Sequence, residues 1–300
     1  MRWKVPRIAR RIAVVAVVLL AIAITTAWRL PVLRAADARG GSCSGWLSVS
    51  RTFGSRGIEL IHVGNRNQRV RLTTALDDRP AWSPSGTEVA FRRIFGSIDR
   101  VLVYQVSGFG VKTRLGTSLA SFGGADPSWS HSGDRIAFVR PDGLYVFDVR
   151  THVVRLVRRL ALPAQPSWTS DDRNIVVALG GGLARFELTR KVQKQLTESP
   201  YDADPDVAAD GSLFFDRLVF GRLRPKSASR VFRLGSEGGI RSVTTGYSPA
   251  YNDRTKCLAF ARDADGPTGK PRSRVLVRSE RGSELDVTLS SESVDTPAWR

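Results

Sequence analysis

Aspartate clusters just ahead of a recurring proline in this chain. Asp77 and Asp78 precede Pro80, Asp126 precedes Pro127, Asp202 and Asp204 precede Pro205, and Asp295 precedes Pro297. Carboxylates at equivalent positions of a repeat offer hard oxygen ligands to a divalent cation, or a negative seat to a basic side chain of a partner. They have a second use as well, because an aspartate beside a turn bonds to local backbone or pairs with a nearby arginine such as Arg79. Asp78, Asp126, Asp204 and Asp295 are the candidate ligand-binding set; Gln165 and Ser248 interrupt the pattern in the other two copies. Apart from such a divalent cation no cofactor is expected. The three histidines, His62, His131 and His152, stand singly, without the spacing of a zinc site.

The proline itself recurs six times, at Pro80, Pro127, Pro166, Pro205, Pro249 and Pro297, followed two residues later by Trp82, Trp129, Trp168, Val207, Tyr251 and Trp299. The intervals of 47, 39, 39, 44 and 48 residues match a four-stranded propeller blade rather than a helical hairpin. A polar turn follows, Ser83-Pro84-Ser85-Gly86 or Ser130-His131-Ser132-Gly133, and then an apolar triplet such as Val89-Ala90-Phe91, Ile136-Ala137-Phe138 or Leu258-Ala259-Phe260. Glycine supplies the positive φ that such a hairpin needs. The third and fifth copies, with Asp172-Arg173 and Asp253-Arg254, lack it and are expected to have relaxed turns.

Third strands are expected over 100–106, 144–149, 183–188, 230–234 and 274–278, and fourth strands over 112–115, 153–157, 192–197, 240–244 and 285–289. The sixth copy stops one strand in, at Arg300. Residues 46–50, 58–63 and 70–73 read as the three strands it lacks. The expected fold is therefore all-β, a six-bladed propeller over 46–300 closed by pairing of its N- and C-terminal strands, which removes the free edges of an open array.

The run Asp78 to Phe91, DRPAWSPSGTEVAF, and the run Ala125 to Phe138, ADPSWSHSGDRIAF, resemble the repeat of the TolB-type propeller, a relative of the WD-repeat family. The resemblance covers about residues 46–300. It implies the propeller fold, with the turns entering the first strands and those joining second to third strands on one face, around the mouth of a central channel. It also implies that this face makes protein contacts. TolB-type proteins carry a separate α/β domain before the blades, and peptidases with similar blades append a hydrolase domain; neither is expected here.

Residues 1–34 hold seven arginines and lysines and no acid, +7 of the formal net charge of +18. The basic flank 1–11 precedes an unbroken run of apolar residues and threonine from Ile12 to Ala27, which Trp28 and Leu30 bring near the roughly 20 residues a spanning helix needs. We read 12–30 as one transmembrane or signal-anchor helix, 31–45 as a linker, and the propeller as lying outside the cytoplasm. Thr25-Thr26-Ala27 and Ala36-Asp37-Ala38 also offer cleavage sites, which would release the same propeller as a secreted domain. Cys43 and Cys257 suit an exported chain with one disulfide, since they fall on neighbouring repeats near second strands; two unpaired thiols are the alternative.

The longer loops of the channel face are basic and aromatic. Arg51, Phe53, Arg93, Phe95 and Phe220 are the candidate partner-binding residues, having the composition of an aromatic anchor with a charged rim; the alternative is that the phenylalanines fold back onto the blade ends. Positive charge suits phospholipid head groups or cell-wall polymers. Nucleic acid is not expected as a partner, because the basic residues alternate along strands with no basic helix and no stacked aromatic platform. The expected function is that of a non-catalytic, membrane-anchored, monomeric propeller that binds an envelope protein or cell-wall component. A carbohydrate-active or other metal-assisted enzyme built on the aspartates is the alternative.

Overall fold

The structure, a computed structural model, describes residues 43–51, 56–190, 192–220, 228–265, 271–289 and 293–300. The expected anchor over 12–30, its basic flank, all but the last residues of the linker, and Phe53 lie outside the described residues. What is described is six four-stranded antiparallel sheets, each pairing consecutive strands from the axis outward. Blade 1 runs Val294–Trp299, Trp46–Arg51, Gly57–His62 and Asn65–Arg71, so its innermost strand comes from the C-terminal end. Blade 2 runs Asp77–Trp82, Glu88–Phe95, Ile98–Ser107 and Arg114–Gly123. Blade 3 runs Ala125–Trp129, Arg135–Arg140, Gly143–Asp148 and Val154–Arg159, and blade 4 Ala164–Trp168, Asn174–Leu179, Gly182–Glu187 and Gln193–Gln195. Blade 5 runs Asp202–Val207, Leu213–Val219, Ala228–Leu234 and Ile240–Thr245, and blade 6 Tyr247–Asn252, Cys257–Asp265, Pro271–Arg278 and Glu284–Asp286.

The core is divided among the blade interfaces. Strand alternation sends the first and third residues of the apolar triplet to one neighbour and the middle residue to the other. Val89 and Phe91 pack with blade 1, while Ala90 packs with blade 3. Ile136 and Phe138 face blade 2, and Ala137 faces blade 4. The large–small–large order matches the wedge left between blades. The last cluster joins Leu47, Val49 and Ile61 of blade 1 to Ala259, Val275 and Val277 of blade 6, so the apolar interfaces run right round the ring.

The repeated tryptophan staples each blade to the one before it. Trp129 Nε1 donates to Ala81 O at 3.1 Å, Trp168 Nε1 to Ser128 O at 3.0 Å, Trp299 Nε1 to Ala250 O at 3.0 Å and Trp82 Nε1 to Ser48 Oγ at 3.0 Å. Where the repeat departs from tryptophan, another bond takes over. Val207 N donates to Ser167 Oγ at 3.0 Å, and Tyr251 N donates to Asp206 Oδ2 at 2.6 Å.

Several boundaries differ from those expected. Residues 110–112 form a 3-10 turn, which pushes the outer strand of blade 2 from 112–115 to Arg114–Gly123, where Leu119 and Phe122 pack toward blade 3. The outer strand of blade 1 starts earlier, at Asn65, and those of blades 4 and 6 are shorter, ending at Gln195 and Asp286. The glycine-free turn of blade 4 is not relaxed. Asp172 takes φ 54° in place of the glycine, as short polar side chains can, and its carboxylate accepts the His131 and Ser132 amides of blade 3, each at 2.7 Å.

Cys43 and Cys257 are joined in a disulfide, with Cα atoms 5.8 Å apart. It ties the chain entering blade 1 to the second strand of blade 6, across the seam where the ring closes. The bond spans 214 residues of sequence, and a loop of that size removes much freedom from the unfolded chain, roughly 5 kcal/mol in the chain-entropy account. Reduction, or the paired change Cys43→Ser and Cys257→Ser, should lower the melting temperature clearly while leaving the far-ultraviolet circular dichroism of the folded state unchanged. Equal melting curves with and without reductant would show that strand exchange alone secures the seam.

Candidate functional site

The site grows from a defect in each innermost strand. Proline has no N–H to give the ladder, so the pairing breaks at every repeat: between Asp78 and Ala81, Ala125 and Ser128, Ala164 and Ser167, Ala203 and Asp206, and Tyr247 and Ala250, with a matching shift in blade 1. At each bulge the residue before proline has left-handed backbone: Arg79 at φ 52°, Asp126 at 51°, Gln165 at 46°, Asp204 at 45°, Ser248 at 48° and Thr296 at 42°. All six line a cavity of about 280 Å³ on the axis, together with the six prolines.

This column separates the four candidate aspartates into two kinds. Asp126 and Asp204 stand before proline and line the axial cavity. Asp78 and Asp295 stand one residue earlier and line an adjoining space of about 320 Å³ at the mouth, between blades 1 and 2. Asp78 is held by Arg92, whose Nε donates to Oδ1 at 2.7 Å. The four thus fall in two adjoining spaces, and among the described residues no three Asp, Glu, His or Cys side chains are grouped so as to hold a metal ion.

Arg79 occupies the centre instead. Blade 2 lies opposite blade 5, and Arg79 Nη1 crosses the axis to donate to Asp204 Oδ1 at 2.6 Å, while its Nε lies 3.6 Å from Asp126 Oδ1 of blade 3. Asp204 also accepts the hydroxyl of Ser248, and Asp126 accepts the Gln165 backbone N–H at 3.1 Å. One guanidinium thus bridges three blades. Burial on its own would lower the Arg79 pKa, but Asp204 and then Asp126 hold it above its ordinary value. Asp216, on the second strand of blade 5, is pushed up to about 7, first by burial and then by Asp204. Asp295 is pushed up to about 6, mainly by burial, against the opposing pull of Arg79. Arg79 and Asp216 are the members that sequence reasoning missed as part of the site; the pre-proline column was the available signal for the first.

The arginines of the channel face are engaged as well. Arg51, Arg93, Arg140, Arg217 and Arg262 occupy one position on the second strand of five blades. Four of these cations lie 5.1 to 5.7 Å from the centre of a triplet phenylalanine: Phe91, Phe138, Phe215 and Phe260. Each then latches the start of the inner strand. Arg93 grips Asp77 at 2.6 and 2.7 Å, and Arg217 grips Asp202. Where glycine replaces that aspartate, Arg140 and Arg262 donate to backbone carbonyls of Gly123 and Thr245. Gly124 and Gly246 cannot be larger, because a Cβ would come within 2.4 and 2.6 Å of the Phe138 and Phe260 rings. Arg51 bonds Glu59 at 3.1 Å. Of the candidate partner-binding residues, Arg51 and Arg93 therefore brace the blades, whereas Phe95 and Phe220 project from the face, Phe220 against Tyr201 at 5.0 Å.

Solved structures of similar fold include two TolB proteins. TolB from Acinetobacter baumannii superposes with a TM-score of 0.69 at 17% identity, over 85% of this chain and 66% of that one. The fold is that of the TolB propeller. A putative TolB from Agrobacterium tumefaciens gives 0.60 at 15% identity, over 84% of this chain and 92% of that one. The present chain thus covers just under two thirds of the Acinetobacter protein. No family model and no curated protein matches the sequence.

The charge balance of this TolB-type channel sets a pH dependence. Asp216 and Asp295 have folded-state pKa values raised above the unfolded 3.8, so the folded protein binds more protons than the unfolded chain between about pH 4 and 7, and stability falls as pH rises through that window. Removing Arg79 takes away the cation that limits these shifts. Arg79→Gln should cost about 2 kcal/mol at pH 8, below the range for breaking a fully buried pair because the side chains keep some exposure, and clearly less at pH 5. Denaturant titrations at the two pH values check this; an equal loss at both would show that Arg79 acts by packing alone.

Proposed function

We propose that this chain is a non-catalytic docking module whose channel face binds an envelope protein, with the propeller held outside the cytoplasm by the N-terminal apolar segment. The observation that carries the reading is a set of exposed apolar side chains on that face. Phe95 is 50% exposed, Ile98 59%, Leu162 76% and Phe220 59%, and all lie at strand ends or in connections that the topology places at the Arg79 end of the channel. Leu162 keeps this exposure while holding a left-handed φ of 48°, a conformation that costs a branched side chain energy. Between blades 2 and 3 a groove of about 540 Å³ is bordered by Ile98, Leu162, Arg140 and the carboxylates Asp99 and Asp142. An apolar floor with an acidic rim suits a partner segment that carries an aliphatic or aromatic anchor beside lysine or arginine.

The aspartates of the channel support this reading only indirectly. Asp126 and Asp204 are committed to Arg79 and Asp78 to Arg92, so a divalent cation on the axis would have to displace the arginine that bridges the blades. Neutralising them together would disturb the ring rather than report on docking.

The test therefore uses loop positions in the full chain. A photo-crosslinking amino acid in place of Phe95 or Leu162, introduced in cells, should trap one discrete envelope protein. The same residue in place of Leu285, exposed on the outer strand of blade 6, should not. Leu162→Asp should reduce the Phe95 adduct severalfold. Adducts from Leu285 alone, or none from either loop position, would reject the channel face as the docking surface.

A further inference from the structure

The outer edges of blades 3 and 4 carry charge of a different kind from the rest of the rim. Residues 149–162 contain Arg150, Arg155, Arg158 and Arg159, and residues 188–197 contain Arg190, Lys191 and Lys194; neither stretch contains an aspartate or glutamate. On other blades several outer arginines have carboxylate partners, while Arg71, Arg114 and Arg230 bond to backbone or hydroxyl oxygens. Arg274 meets Asp286, Arg262 and Arg278 share Glu284, Arg69 meets Glu59, and Arg233 meets Asp210. On the outer strands and adjoining turns of blades 3 and 4, among the described residues, only Arg159, with Asp142 at 3.3 Å, and Arg190, with Glu187 at 3.6 Å, have one.

Register makes the contrast sharper. Arg155 and Arg158 pair with Val146 and Leu144, which face blade 4, so both cations stand on the side of blade 3 that looks toward blade 4. On blade 4, Arg185 lies directly opposite Lys194, a like-charge pair that weakens a sheet unless something anionic lies over it. Among the described residues, none of these four side chains makes a hydrogen bond or ion pair with the protein. The same strand edges carry exposed aliphatic side chains: Val153, Leu156 at 41%, which pairs with Tyr145 and so stands on the blade 2 side, and Val192 at 53%.

We propose that this rim docks the propeller, edge-on, against a bilayer surface rich in anionic lipid. Unpaired cations interleaved with exposed aliphatic groups match the boundary between head groups and acyl chains, where arginine and lysine meet phosphate while leucine and valine enter the apolar layer. A purely ionic polymer would use the cations and leave the aliphatic groups in water, which is why lipid is the favoured occupant. Edge-on docking turns the channel axis along the membrane plane and keeps the channel face open, so the inference is independent of the docking function proposed for that face.

The experiment uses the full chain in nanodiscs of phosphatidylcholine alone or of equal parts phosphatidylcholine and phosphatidylglycerol. Because the N-terminal apolar run would hold the chain on either lipid, the readout is placed on the rim: an environment-sensitive fluorophore on Leu156→Cys or Val192→Cys, with Leu285→Cys as the control. Emission at 156 and 192 should shift to the blue in the anionic nanodiscs only, and that at 285 should not. Molar salt should reverse the shift by screening. Changing Arg155, Arg158 and Lys194 to Gln should lower the ratio of docked to free propeller by about 100-fold, at the usual contribution of each cation near an anionic membrane. Identical emission in both lipids, a shift that salt leaves intact, or an equal shift at 285 would overturn the proposal. If soluble polyphosphate added to neutral nanodiscs produced the same shift, the rim would be a polyanion site and the lipid assignment would fall.

Discussion

One backbone constraint organises the ring. In all six blades the residue before the repeated proline is a non-glycine residue in left-handed backbone, with φ between 42° and 52°. Such a conformation is unfavourable in isolation, and it persists because the proline denies the ladder a donor while the neighbouring blades fix the strand on both sides. The bulge has two effects at once. It turns six side chains toward the axis, and it ends the regular pairing so that the following aromatic can reach back to the preceding blade, as Trp129 does to Ala81 and Trp168 to Ser128. Curvature, inter-blade stapling and the lining of the channel all follow from the same two residues.

Because the bulge forces a side chain inward whatever its type, the chemistry of the axis depends on which residues occupy that column. Here they are one arginine, two aspartates, a glutamine, a serine and a threonine. The arginine sits three blades from Asp204, and its length lets it close the gap. A chain of formal charge +18 thus has an acidic axis whose carboxylates are restrained by a single guanidinium, while many of its other arginines are drawn to the blade ends to latch the entry of the inner strands. The latch explains an apparent excess of arginine on the channel face. Each latching guanidinium rests on a phenylalanine and bonds an aspartate or a backbone carbonyl, two contacts that lysine would make less well.

The fold was legible because its signal repeats. A proline and aromatic at blade spacing, with a turn and an apolar triplet behind them, point to a ring of sheets, and the strand Val294–Trp299 joins the three strands over 46–71 in one blade. Outer strands were less legible. The segment 114–123, RLGTSLASFG, alternates weakly and includes glycine, serine and threonine, so its ladder could not be told from a loop before its packing on blade 3 was visible. The site was legible only in part. Aspartates near the prolines were visible, yet whether a residue faces the axis or the mouth depends on a shift of one position, and only the bulge decides it. Asp126 and Asp204 fall on the axis; Asp78 and Asp295 fall beside it. The engagement of Arg93 by Asp77 likewise depends on strand register, which pairs residues sixteen apart in sequence.

Recognition is consequently left to what the ring does not use. Inner and second strands are bounded on both faces by neighbouring blades, and their polar groups are consumed in bulges, staples and latches. The hairpin tips and the exposed side chains of the outer edges have less of this duty, since an outer strand pairs on one side only, although residues such as Phe122 still pack into an interface. In those places the chain departs most from a bland, self-neutralised surface: the tips keep Phe95, Ile98, Leu162 and Phe220 in water, and the rim of blades 3 and 4 keeps Arg155, Arg158, Arg185 and Lys194 without counter-charges. Both arrangements cost stability in the isolated chain, by exposed apolar area in one case and by like-charge repulsion in the other. A partner on each surface would remove that cost.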